Sequence, residues 1–220
     1  MTTSGTSTFD PTVADIIDEA FERIGKDPAT LTARHLISAR MSMNYLVAGW
    51  AALGIKLWAI EQGTQTTTIN DPDYTLSAST VDIIDVMLRR DGVDNEMQRI
   101  SRSDYAALAD KTNPGRPNQY YLDRQRAAPV LYIWPAPENS TDVIVYNRLR
   151  KIHDAGNATN TMDIAYHWFE AFTSGLAAKL SEKYNKAIEA DMVAKAAQAL
   201  KLAREEDRER ASTVINVCYS

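Results

Sequence analysis

The chain is short of cysteine, of aromatic side chains and of uninterrupted apolar sequence. A single cysteine, Cys218, among 220 residues excludes an internal disulfide framework and points to synthesis in a reducing compartment. No apolar run approaches the roughly 20 residues that a membrane helix needs, so no membrane partner is expected. The opening Met1–Thr8, MTTSGTST, lacks the basic n-region and apolar core of a signal peptide. Residues 1–9 read as a flexible polar arm. Positive charge is not in surplus either: Lys and Arg number 24 against 29 Asp and Glu, a net charge of -5. That balance argues against a surface built to neutralise DNA. The three histidines, His35, His153 and His167, form no HExxH, HxH or Cys/His zinc spacing, and no GxGxxG or Walker loop is present. No cofactor or metal is therefore expected.

Against those absences, 45% of the residues are hydrophobic and 24% charged, the balance of an ordinary folded protein. Six of the 8 prolines fall between Pro72 and Pro137. Because proline is excluded from helix interiors, the order reads helix, then strand and loop, then helix. A first helix is predicted from Pro11 to Ile24 with Asp10 as its N-cap, since Val13, Ile16, Ile17, Ala20, Phe21 and Ile24 share a face. A second runs from Thr30 to Trp58, with Leu36, Ala39, Met43, Leu46, Trp50, Leu53 and Leu57 as its packing stripe. After Thr161 a helix presents Ala165, Trp168, Phe169, Phe172, Leu176 and Leu180, with Gly175 allowing close approach. The last helix, from Ile188 to Arg210, turns Ile188, Met192, Val193, Ala196, Leu200 and Ala203 inward. It ends in the charged run Arg204–Arg210, where Glu206 and Arg210 have i,i+4 spacing.

Between the helices, β-preferring runs at 64–69, 81–88, 130–134 and 143–146 are separated by turn signals such as Asp91-Gly92 and Asn113-Pro114-Gly115. A short helix at 104–109, capped by Ser103, interrupts them. The expected architecture is α+β. A helical bundle comes from residues 10–58 and 161–210, with a small antiparallel β domain inserted at 59–160. An extended tail occupies 211–220. Val214, Ile215 and Val217 in that tail have strong β preference but follow a long helix, and a lone strand needs a sheet edge to pair with.

The residues that attract attention as chemistry have simpler structural readings. His167 beside Trp168 fits a core or surface position better than a ligand. Cys218, near a terminus with no adjacent base, reads as a small apolar residue. Asp91–Glu96 lacks the alternating carboxylates of an EF-hand loop and reads as a turn, as do Asp71 and Asp73 around Pro72. Tyr120-Tyr121 with Arg124-Gln125-Arg126 resembles a nucleic-acid platform, but strand alternation and a solvated edge account for both. No catalytic constellation emerges. Acids are plentiful in the β region, and a carboxylate pair for glycoside hydrolysis is defined only by distance in space.

Several stretches, taken in order, carry a resemblance. Gly115-Arg116-Pro117-Asn118-Gln119-Tyr120 followed by Leu131-Tyr132-Ile133-Trp134-Pro135-Ala136-Pro137 resembles a G-x-P-x-x-Y … Y-x-x-P-x-P signature. Ala177–Tyr184 resembles an A-x-x-L-x-x-x-Y helix, and Glu205–Ser212 a helix-to-tail junction. With the helix–β–helix–tail layout, residues 10–217 resemble the head-to-tail adaptor, or connector, proteins of tailed bacteriophages, including the tail tubular protein A and tail accessory groups. The resemblance implies a non-enzymatic virion protein, made in the host cytoplasm. It forms a ring of about twelve copies under the portal protein and offers a platform to the tail nozzle or other tail proteins. Double-stranded DNA passes through its channel without specific binding, and an acidic lining suits that passage. The resemblance also implies portal docking by the tail, through Ser212, Thr213, Val214, Ile215, Asn216 and Val217. The alternatives are an adaptor that also cleaves cell-wall glycosides, and a neck or tail-completion protein of a long-tailed phage.

Overall fold

The computed structural model describes residues 3, 5–53 and 59–206. In chain order its elements are α1 (Val13–Arg23), α2 (Ala33–Ala52), β1 (Ile60–Thr66), β2 (Asp73–Thr75), β3 (Thr80–Arg90), β4 (Val93–Glu96) and β5 (Gln98–Arg99). There follow α3 (Arg102–Ala107), β6 (Pro114–Gly115), β7 (Gln119–Asp123), β8 (Val130–Trp134), β9 (Ala136–Pro137), β10 (Val143–Arg150), α4 (Phe169–Tyr184) and α5 (Glu189–Glu206). The fold class is α+β, as the sequence predicts. Two compact units divide the chain: Met1–Leu57 with Ile152–Ser220, and Trp58–Lys151.

The first unit is helical. α1 begins after Thr12 rather than Asp10. The Thr12 hydroxyl accepts a hydrogen bond from the Asp15 amide at 3.2 Å, and the Asp15 carboxylate accepts one from the Thr12 amide at 2.9 Å. This reciprocal box satisfies two otherwise orphaned donors, which Asp10 cannot do because Val13 stands three residues on. α2 begins at Thr32 because Asp27 and Pro28 open a separate 3-10 turn, Pro28–Thr30.

α4 is central: its buried residues lie on every side, and α1, α2 and α5 all pack against it. Trp50 of α2 lies 5.1 Å from the Trp168 ring and 5.5 Å from Phe172. A Cβ added to Gly175 would lie 3.0 Å from a Leu46 methyl, so the glycine sets the closeness of α2 to α4. The buried stripe of α2 is Ala39, Met43, Val47 and Trp50; Leu36 and Leu53, expected to be inward, are exposed. α5 buries only Met192 and Ala203, and Val193, also expected inward, is exposed. Residues 152–160 join this unit through the Ala155 amide, which donates to Asn44 Oδ1 at 2.8 Å, and Arg40, which donates to the Gly156 carbonyl.

The second unit has two four-stranded sheets sharing one core and a two-stranded sheet, β6-β9. The first has the order β1-β10-β3-β4 and is antiparallel throughout; the second is β2-β8-β7-β5. Tyr74, Tyr120, Leu122, Leu131 and Ile133 from the second sheet meet Ile83, Val86, Leu88, Ile144 and Tyr146 from the first. Two pairings, β5 with β7 and β6 with β9, are parallel but only two residues long. Asp91 and Gly92, with φ of 51° and 78°, make the two-residue turn between β3 and β4, the geometry that tight hairpins demand. Ile84, in an apolar run, is exposed because the β3–β10 ladder steps from Asp85 to Ile83 opposite Asn147 and Arg148. A bulge leaves one residue unpaired and turns it outward. α3 begins after Ser101, not Ser103. Ser101 Oγ accepts from the Asp104 amide at 3.1 Å, and the carboxylate returns the bond.

Candidate docking surfaces

The tail residues Ser212, Thr213, Val214, Ile215, Asn216 and Val217 lie outside the described residues, as does Arg210 of the expected Glu206–Arg210 pair. α5 leads towards them and its last described residue is Glu206. That helix forms one wall of a groove of about 700 Å³ whose other walls are α1 and α4. Its floor is apolar, made by the buried Ala171, Met192 and Ala203 with the half-buried Ala199; Leu202 stands exposed at its edge, and its rim is charged.

Arg23 organises the rim. At the end of α1 its guanidinium donates to both Glu170 oxygens, at 2.7 and 2.8 Å, to Ser174 Oγ at 2.8 Å and to Glu19 at 2.8 Å. This two-pronged fit with a carboxylate is the arrangement that suits arginine and not lysine. It raises the Arg23 pKa above its ordinary value and, through the hydrogen bonds from Arg23, holds the Glu170 carboxyl below its own. A second hollow of about 720 Å³ adjoins the first, sharing Arg23, His167 and Glu170 and bounded by the arm residues Thr8 and Phe9. The Phe9 ring stands edge-on to Phe169 at 6.0 Å. His167 is half-buried and lines both hollows.

α2 presents a further surface, away from the stripe that its sequence suggests. Ile37, Met41 and Tyr45 are 61%, 51% and 65% exposed and follow one another at i, i+4 and i+8. Ala48 continues the line and Arg34 heads it, both exposed. Over its 20 residues α2 carries two arginines and no carboxylate. An apolar stripe on a helix is ordinarily covered, and the second line of apolar residues, besides the one that meets α4, was the available signal. None of these residues lines either hollow.

The β unit separates the residues that looked like a nucleic-acid platform. Tyr120 is buried in the sheet core, while Tyr121 stacks on Tyr105 and Tyr132, with ring centroids at 5.6 and 6.0 Å. Arg124 and Arg99 both bond to Asp82, which cancels much of the charge a phosphate would meet. Several carboxylates here are tied into ion pairs: Asp142 accepts Arg90 through both oxygens, Glu61 binds Arg148 and Arg150, and Asp94 binds Arg89. The carboxyls that depart from their ordinary range, Asp15, Glu61, Asp94, Asp110 and Glu170, all move down. Among the described residues no group of three or more His, Cys, Asp or Glu gathers to hold a metal ion, and no helix is long and apolar enough to cross a membrane.

A family model described as SU10 adaptor protein matches residues 11–217. The match covers nearly the whole chain, both units included, and the chain belongs to that family, a family of phage head-to-tail adaptors. No curated protein matches the chain.

Proposed function

We propose that this member of the adaptor family is a non-enzymatic virion protein. Copies of it form a ring under the portal, prolong the DNA channel and give later tail proteins a surface on which to assemble. The observation that carries this reading is the family match from residue 11 to residue 217, across the helical and β units together. A ring of about twelve copies fits a portal partner. The net charge of -5 suits a conduit through which DNA slides without sticking.

Portal attachment is assigned to Ser212, Thr213, Val214, Ile215, Asn216 and Val217. An extended segment added to a sheet edge gains backbone hydrogen bonds with little demand on sequence, and alternate side chains enter pockets. Presented around a ring, contacts that are weak singly gain from high effective concentration.

The test is a chain ending at Arg210. It is expected to keep the circular dichroism spectrum and melting temperature of the full chain and to lose capture by purified portal. Capture at full strength by the shortened chain overturns the assignment of the tail. Failure of the full chain to bind portal, or to occur in purified particles, overturns the adaptor reading itself.

A further inference from the structure

We propose that the exposed face of α2, formed by Arg34, Ile37, Met41, Tyr45 and Ala48, docks into the groove between α4 and α5 of a second copy of this chain. The inference rests on the ring reading above and names the surfaces that would build it.

The two surfaces are distinct parts of the same helical unit, since no residue of α2 lines the groove. A contact between different patches is heterologous: every copy keeps one patch and one groove free, and repetition closes a ring or extends a filament. A self-complementary patch would stop at a dimer.

Shape and length favour this occupant. Arg34 to Ala48 is fourteen helical steps, and so is Met192 to Glu206 along the α5 wall; each runs about 21 Å at 1.5 Å per residue. The stripe advances by steps of three and four from Arg34 through Ile37, Met41 and Tyr45 to Ala48, the kind of spacing by which a helix lays one face into a groove. The groove offers the small residues Ala171 of α4 and Ala199 and Ala203 of α5 beside Met192 and Leu202. Charge fixes the direction. Glu206 stands at one end of the groove, while α2 has no carboxylate and begins its stripe with Arg34. An antiparallel arrangement sets Arg34 of one copy beside Glu206 of the next. Tyr45 and Ala48 then reach the Met192 end.

The centres of the two surfaces, Met41 and Gln198, meet in either direction, which makes a disulfide trap decisive. In full-length chains carrying Cys218→Ser, Met41→Cys and Gln198→Cys are made singly and together. A concentrated mixture of the two single variants under mild oxidation is expected to yield a disulfide-linked dimer. Each single variant alone stays monomeric on a non-reducing gel, and the double variant gives a ladder. In parallel, Met41→Glu is expected to weaken self-association in sedimentation by about tenfold or more, the loss of one buried apolar anchor, with an unchanged circular dichroism spectrum. Cross-linking of either single variant to itself overturns the proposal. So does undiminished association of Met41→Glu, which leaves the ring reading standing with another interface. A mixture of the two single variants that does not cross-link while the wild-type chain associates overturns the proposal alone, and a wild-type chain that does not associate even with portal present overturns both.

Discussion

Gly63 lies on the edge strand β1 directly opposite Tyr146 of β10. A Cβ at this position would lie 2.4 Å from Tyr146 Cζ and 2.7 Å from its hydroxyl. Ordinary carbon contacts are about 3.5–4.0 Å, so Gly63→Ala forces the Tyr146 ring to retreat by about 1 Å or more. The ring is buried among Val86, Ile144 and their neighbours, and overpacking of that kind costs roughly 1–3 kcal/mol. Against this stands a gain: the backbone of Gly63 is not left-handed, and alanine in a strand interior is favoured over glycine by about 0.5–1 kcal/mol. The two effects separate in a double-mutant cycle. Gly63→Ala is expected to lower the urea midpoint in the wild-type background. In the Tyr146→Ala background it is expected to be neutral or to raise the midpoint, because the obstruction has gone. The readout is urea unfolding of the full chain followed by circular dichroism, with the m-value checked for constancy. An equal cost in both backgrounds, or none in the first, refutes the claim that this glycine exists to admit the tyrosine.

Two further outcomes follow from the helical unit. Leu176, fully buried in α4, is expected to cost about 2–5 kcal/mol on truncation to alanine, measured by the same unfolding assay; a loss under 1 kcal/mol would mean that α4 is not the centre of packing. The Glu170 carboxyl is held below its ordinary pKa by Arg23. Its contribution to stability is therefore complete above the unfolded-state value and disappears as pH falls through the lower folded-state value. The stability gap between wild type and Glu170→Gln is expected to be constant from pH 6 to 8 and to close below about pH 4. A gap that widens on acidification contradicts this sign.

Much of the architecture is legible in the sequence because strong local signals agree with the fold. β8 is bounded by Pro129 and Pro135, so its limits, Val130–Trp134, coincide with the apolar run. Asp91-Gly92 turns where expected because only residues tolerant of positive φ fit a two-residue hairpin. The helix starts slip by two residues where competing caps stand close together: Thr12 beats Asp10, and Ser101 beats Ser103, because each has an aspartate three residues on. The exposure of Ile84 is not legible in its apolar run, because a bulge breaks the period of two.

The faces of α2 were hidden for a different reason. With more than one line of apolar residues on the helix, periodicity cannot choose which side meets α4, and a stripe through Leu36 and Leu53 scores as well as the true one through Val47. The groove was not visible at all, since it needs α1, α4 and α5 brought together in space. The tail, on which the portal assignment turns, rests on its β-branched residues and on family resemblance alone.

The β unit opens and closes at one place. β1 and β10, its first and last long strands, are paired to each other, with Ile60 opposite Leu149. Antiparallel partners are about 4.5–5.5 Å apart, so the two ends of the β unit lie side by side. Insertions with adjoining ends impose little closure entropy on their host. A chain in which residues 60–149 are replaced by a short turn is therefore expected to keep its helices, and loss of the helical circular dichroism signal in that variant would contradict this.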